Sequence, residues 1–213
     1  MFRDGSEAAL NLSLNGMMKS GELSRESWGT YILSSQKKRL FIPVPGEEIR
    51  EINHLLKSEF HYTRICVWDP QILAPYMQHI PNLNFLIVEI ERMTLDPAFH
   101  LLQEKINDRR VVYNPSSEDY ARYVSGFPSV IVKPLISQAP LIDFGGLAMP
   151  RIEKVMVDIT EDVEFRFAQG AELYTIFENL LSSFDVSDKT LYRYADRRAR
   201  RNRVESIVKS CGL

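Results

Sequence analysis

Two short apolar runs restrict what this chain can fold into. Phe85 to Ile90 reads FLIVEI, and Ser129 to Ile136 reads SVIVKPLI. Side chains of a strand point alternately to opposite faces, so a strand apolar at successive positions must be covered on both. Tyr62 to Trp68 and the short Arg110 to Tyr113 read as further strands. Between them lie segments with apolar residues at helical spacing. Ile49, Ile52 and Leu56 mark the first. Asp69-Pro70 opens a second with Ile72, Leu73, Tyr76 and Met77. Asp96-Pro97 opens a third with Ala98, Phe99, Leu102 and Ile106, and Ser116 or Ser117 caps a fourth with Tyr120, Ala121 and Val124. The expectation is an α/β fold, with a mainly parallel sheet and helices on both faces.

From Pro150 onward the pattern is helical. Pro150 suits a first helical position. Ile152, Val155, Met156 and Ile159 follow as one apolar stripe, and Leu173, Ile176, Phe177, Leu180, Leu181 and Phe184 form a second. A last helix begins near Ser187 or Asp188. On it Lys189, Arg193, Arg197, Arg200 and Arg201 share one face, so the positive charge forms a stripe. From Lys189 to the end there are eight Lys or Arg against two acids, Asp196 and Glu205. With a net charge of -2 for the whole chain, the remainder is close to -8. Such an asymmetry fits a basic face that meets a polyanion, DNA or RNA, or one that pairs with the acidic body of the same protein.

Residues 1 to 34 read as a smaller module. Ser6 to Lys19 is a helix capped by Ser6 and followed by Gly21. Two short strands ending in Gly29-Thr30-Tyr31-Ile32-Leu33 form a hairpin. A helix followed by a hairpin is the second half of a winged helix-turn-helix, so the module is expected to be partial, with Lys19 and Arg25 as its cationic contacts. Residues 35–45 are expected to be a linker, and 46–213 the main domain.

The rest of the composition excludes more than it assigns. No apolar stretch reaches the ~18–20 residues of a membrane span, and the first residues lack the apolar run of a secretory signal. Cys66 and Cys211 are the two cysteines, expected as free thiols in a reducing cytoplasm. His54, His61, His79 and His100 have no ligand spacing, so neither metal nor cofactor is expected. Asp69, Glu89 and Glu91 are the one carboxylate set compatible with a metal-dependent nucleic-acid-processing enzyme. The lysine of a D…ExK nuclease is absent two residues after Glu89, and Asp69 has the alternative work of capping a helix. Lys133 interrupts an apolar strand near its end, where it pairs with a carboxylate or faces a ligand or partner. Glu153, Lys154 and Asp158 sit on the polar side of their helix, where Lys154 and Asp158 pair as i, i+4 neighbours or the acids hold Arg151 or an arginine of the last helix, with Glu153 a further partner-site candidate.

Several runs carry a family resemblance. MPRIEKVMVDI, QGAELYTIFENLL and LYRYADRRARR, with CVWDPQILAPYM, FLIVEIER, VVYNP and VIVKPLISQAPL before them, are similar in order to the abortive-infection type IV antitoxin group, AbiEi-like proteins of the DUF6577 type. The similarity covers roughly residues 36 to 203, and Trp68, Glu153, Gly170 and Glu172 are motif positions within it. The resemblance implies a non-enzymatic antitoxin in the cytoplasm, a nucleotidyltransferase-like toxin as its counterpart, and a preceding winged helix-turn-helix that binds operator DNA. The hairpin ending GTYILS is similar to the wing of that module.

Overall fold

The computed structural model describes residues 7–19, 23–27, 29–33 and 38–211. The chain divides into two compact units, Met1–Leu40 and Phe41–Leu213.

The first unit holds helix α1 (Glu7–Lys19) and an antiparallel hairpin of β1 (Leu23–Ser27) and β2 (Thr30–Leu33). Leu23 faces Leu33, and the register slips between Arg25 and Ser27. Ser6 and Gly21, expected at the ends of the helix, lie outside the described residues, as do the side chains of Lys19 and Arg25.

The second unit is mixed α/β, with a six-stranded, mostly parallel sheet. Its strands are β3 (Ile65–Trp68), β4 (Phe85–Ile90), β5 (Arg110–Tyr113), β6 (Ser129–Pro134), β7 (Leu141–Phe144) and β8 (Leu147–Pro150), in the order β5-β6-β4-β3-β8-β7. All six residues of β4 are buried, so both of its faces are covered, as its unbroken apolar pattern requires. β4 runs parallel to β6 and antiparallel to β3. The helices are α2 (Glu47–Glu59), α3 (Leu95–Lys105), the single turn α4 (Ser117–Asp119), α5 (Ile152–Asp158), α6 (Ala171–Ser183), α7 (Asp188–Arg197) and α8 (Arg201–Ser210). The chain leaves β4 through α3 toward β5 at one edge of the sheet. It leaves β6 toward β7 at the opposite edge.

Several local expectations are corrected. The second half of the expected linker belongs to the second unit: Phe41, Pro43 and Pro45 are buried, and Phe41 meets the Phe184 ring edge-on at 5.1 Å. The segment after Asp69 is a 3-10 helix, Pro70–Tyr76, because Pro75 lacks the N–H that an α-helix would use there. Asp96 does not cap α3. The helix starts one residue earlier at Leu95, and Asp96 accepts the Tyr113 hydroxyl at 2.6 Å. Pro150 ends β8 rather than opening a helix. The stretch before it forms the β7–β8 hairpin, whose two-residue loop Gly145-Gly146 has φ of 61° and 90°. Two successive positive φ values are what a type I′ turn demands, and glycine adopts them without strain.

Candidate functional site

Helix α5 carries the charges around which the second unit is organised. All seven of its residues are buried, Glu153, Lys154 and Asp158 included. These three were expected on a polar helix face. They lie inside instead, because β4 and α7 bring polar partners to them. Lys154 is fully buried, and its Nζ donates to Glu89 Oε2 at 2.5 Å and to Asp158 Oδ2 at 2.6 Å. Trp68 Nε1 donates to the same Glu89 oxygen at 3.0 Å, and the Tyr194 hydroxyl donates to Asp158 Oδ1 at 3.1 Å. The ammonium also lies 5.3 Å from the Trp68 ring centre, and that ring stacks on Phe165 at 5.7 Å.

A second knot joins the first. Asp162 pairs with Arg198, with Arg200 and, at 2.9 Å, with Lys133. Lys133 also pairs with Glu164, and Arg198 Nε stands 3.6 Å from Asp158, linking the knots. Four acids (Glu89, Asp158, Asp162, Glu164) thus face four cations (Lys133, Lys154, Arg198, Arg200). Buried charges persist only when matched in this way. Burial works against the charged forms of Lys154 and Lys133, but Asp158 and Glu89 around the first, and Glu164 and Asp162 around the second, outweigh it and raise both above the usual lysine range. Burial likewise opposes the Asp162 carboxylate, yet Lys133, Arg198 and Arg200 hold its pKa well below the ordinary aspartate value. Glu164 goes the other way: burial raises it, with Lys133 opposing. Burial also pushes up the Cys66 thiol and the Tyr194 phenol. A small cavity of about 180 Å³ beside Asn114 opens onto Lys133, Glu164 and Arg198.

The basic stripe expected on the last helix is broken. Helix α7 ends at Arg197, and α8 starts at Arg201. Between them Arg200 N–H donates to Ala195 O at 2.8 Å and Ala199 N–H to Asp196 O at 3.0 Å, the two bonds of a Schellman turn. That turn swings Arg200 inward to Asp162 and Glu161. Arg201 pairs with Asp196 at 3.0 Å and with Glu205, and lies over the Tyr192 ring. Lys189, Arg193 and Arg197 remain exposed at one-turn intervals on α7, without an ion pair among the described residues. The turn places Ala199 at φ 55°, the left-handed region that costs an L-residue about 1–2 kcal/mol. Ala199→Gly is therefore expected to stabilise the protein by up to about 1 kcal/mol, read as a higher urea midpoint with unchanged slope. An unchanged or lower midpoint refutes the strain.

The other candidates are dispersed. Lys133 is a network member. Glu153 binds Arg151 at 3.1 Å and accepts the Ser187 N–H at 3.1 Å, tying the start of α5 to the cap of α7. Asp69 caps its 3-10 helix through the Gln71 N–H, Glu89 is engaged by Lys154 and Trp68, and Glu91 is exposed. In the β3–β4 register Cys66 faces Glu89, which puts Asp69 and Glu91 at opposite ends of the strand pair, so the carboxylates of the nuclease alternative do not converge. Among the described residues no group of three His, Cys, Asp or Glu is placed to hold a metal ion. Gly170 starts α6 with φ 67° and ψ −139°, a conformation almost confined to glycine. Glu172 accepts the Gln78 N–H at 2.7 Å. Sequence reasoning missed Asp162, Glu164 and Arg198. Their only signal is an alternation of acids with apolar residues in Asp162-Val163-Glu164-Phe165, and the partners lie about 30 residues or more away in sequence.

A comparison with curated proteins gave no match. A family model described as a family of unknown function, DUF6577, matches residues 9–212, and on that span the chain belongs to this family.

Proposed function

We propose that the protein is a non-catalytic antitoxin of the AbiEi-like kind, which opposes a nucleotidyltransferase-like toxin and represses its own operon. The observation that carries this reading is the contrast in how charges are used. The buried ionisable groups of the second unit close on one another, while Lys189, Arg193 and Arg197 face outward unpaired. Surfaces, and not a reacting centre, are then what the molecule offers. A helix followed by a two-stranded hairpin in the first unit has the order of the recognition helix and wing of a winged helix-turn-helix. No helix among the described residues is long and apolar enough to cross a membrane.

The direct test is co-expression. Where a nucleotidyltransferase-like protein is encoded beside this chain, its production is expected to arrest growth and this chain is expected to restore it; a neighbourhood without such a gene counts against the reading. Persistent arrest in the presence of folded protein refutes the antitoxin reading. The α7 face has its own measurement. Three cations that neutralise phosphates contribute about 0.9 each to the slope of log affinity against log salt. Replacing Lys189, Arg193 and Arg197 by alanine should flatten that slope for a DNA duplex by about 3. An unchanged slope removes the face as a nucleic-acid contact.

A further inference from the structure

Strands β4 and β6 are adjacent and parallel, yet the chain leaves them in opposite directions, toward β5 and toward β7. In open α/β sheets ligands bind in a crevice outside the carboxyl ends of the strands, and at that end of this pair the two connections cross, β4 passing β6 and β6 passing β4. Here the crevice has a volume of about 580 Å³, within the ~300–1,000 Å³ of small-molecule sites. Arg64, Glu91 and Arg92 stand on one side of it, and Pro134, Ile136 and Gln138 on the other. Leu135 N–H donates to Ile90 O at 2.8 Å, which fixes the exit of β6 against that of β4. Both arginines are exposed, and neither guanidinium has an ion pair or hydrogen-bond partner among the described residues. Two unusually bare hydrophobic side chains flank the same end of the sheet, Tyr62 at 101% and Met93 at 95% exposure.

We propose that this crevice binds a nucleotide. Two free guanidinium forks suit phosphate oxygens, which they contact bidentately. The half-buried wall of Pro134 and Ile136 suits the flat face of a base. Glu91 provides an acceptor for a sugar hydroxyl, the role an acidic residue plays in dinucleotide folds. The proposal does not depend on the antitoxin reading and fails or stands separately from it.

Calorimetric titration of the full chain at low ionic strength with ATP, and in parallel with inorganic pyrophosphate, tests it. ATP is expected to bind one to one and at least ~10-fold more tightly than pyrophosphate, because only ATP uses the apolar wall. Arg64→Ala with Arg92→Ala should weaken ATP by at least ~10-fold and leave the melting temperature of the free protein unchanged. Arg64→Lys with Arg92→Lys should fall between, since the charge stays and the fork is lost. No saturable binding of ATP, or equal affinity for pyrophosphate, overturns the proposal. So does wild-type affinity in the double alanine variant. Should that variant melt early, wild-type affinity in the double lysine variant overturns it instead.

Discussion

Lys154→Ala is expected to destabilise the protein by about 3–5 kcal/mol, the cost of leaving buried acids without their counter-charge. The side chain is fully buried, and both Glu89 and Asp158 lose their shared cation. Replacing all three, with Lys154→Met, Glu89→Gln and Asp158→Asn, should recover most of that loss. The amide oxygens still accept from Trp68 Nε1 and from the Tyr194 hydroxyl, and no naked charge remains. Urea unfolding of the single and triple variants measures both numbers. A triple variant no more stable than the single one would mean that Lys154 acts through something other than charge matching.

Asp162→Asn is the second large effect, about 2–4 kcal/mol at neutral pH, smaller because each cation it releases keeps another partner. Lys133 retains Glu164, Arg198 retains Asp158, and Arg200 retains Glu161 and the Val157 and Asp158 carbonyls. The effect has a pH signature. The three cations depress the folded-state pKa of Asp162 below the ~3.9 of an unfolded aspartate. Its stabilisation is thus complete above roughly pH 5 and is lost as pH falls through the folded value. The gap between the wild type and Asp162→Asn should therefore stay constant from pH 7 to about 5 and narrow below about 4. Glu164, raised by burial, protonates earlier and partly offsets the loss on acidification. A gap that widens in acid would contradict the assignment of Asp162 as the shared anion.

Strands β3, β4 and β6 were legible because burial on both faces leaves an unbroken apolar signature, as in Phe85–Ile90. The β7–β8 hairpin was missed although its signal was present. Leu141-Ile142-Asp143-Phe144, Gly145-Gly146, Leu147-Ala148-Met149-Pro150 is a pair of four-residue strands around a glycine turn, short enough to pass for a loop. The interruption at Ala199 had no such marker, since the Schellman position usually occupied by glycine holds alanine. Continuous helical periodicity then placed Arg200 with the outward cations, whereas the turn gives it to Asp162. The ionic network was illegible for a different reason. Glu89 and Lys154 are 65 positions apart, and Lys133 and Asp162 are 29. Local spacing finds the Lys154–Asp158 pair and nothing beyond it.

The same separation bears on synthesis at the ribosome. Asp158 and Asp162 emerge long before Arg198 and Arg200, which complete their neutralisation. Until those arginines clear the exit tunnel, closing the core would bury four acids against two cations, Lys133 and Lys154. Docking of α7 is therefore a late event in the life of the nascent chain, and the order of translation helps to set the order of folding.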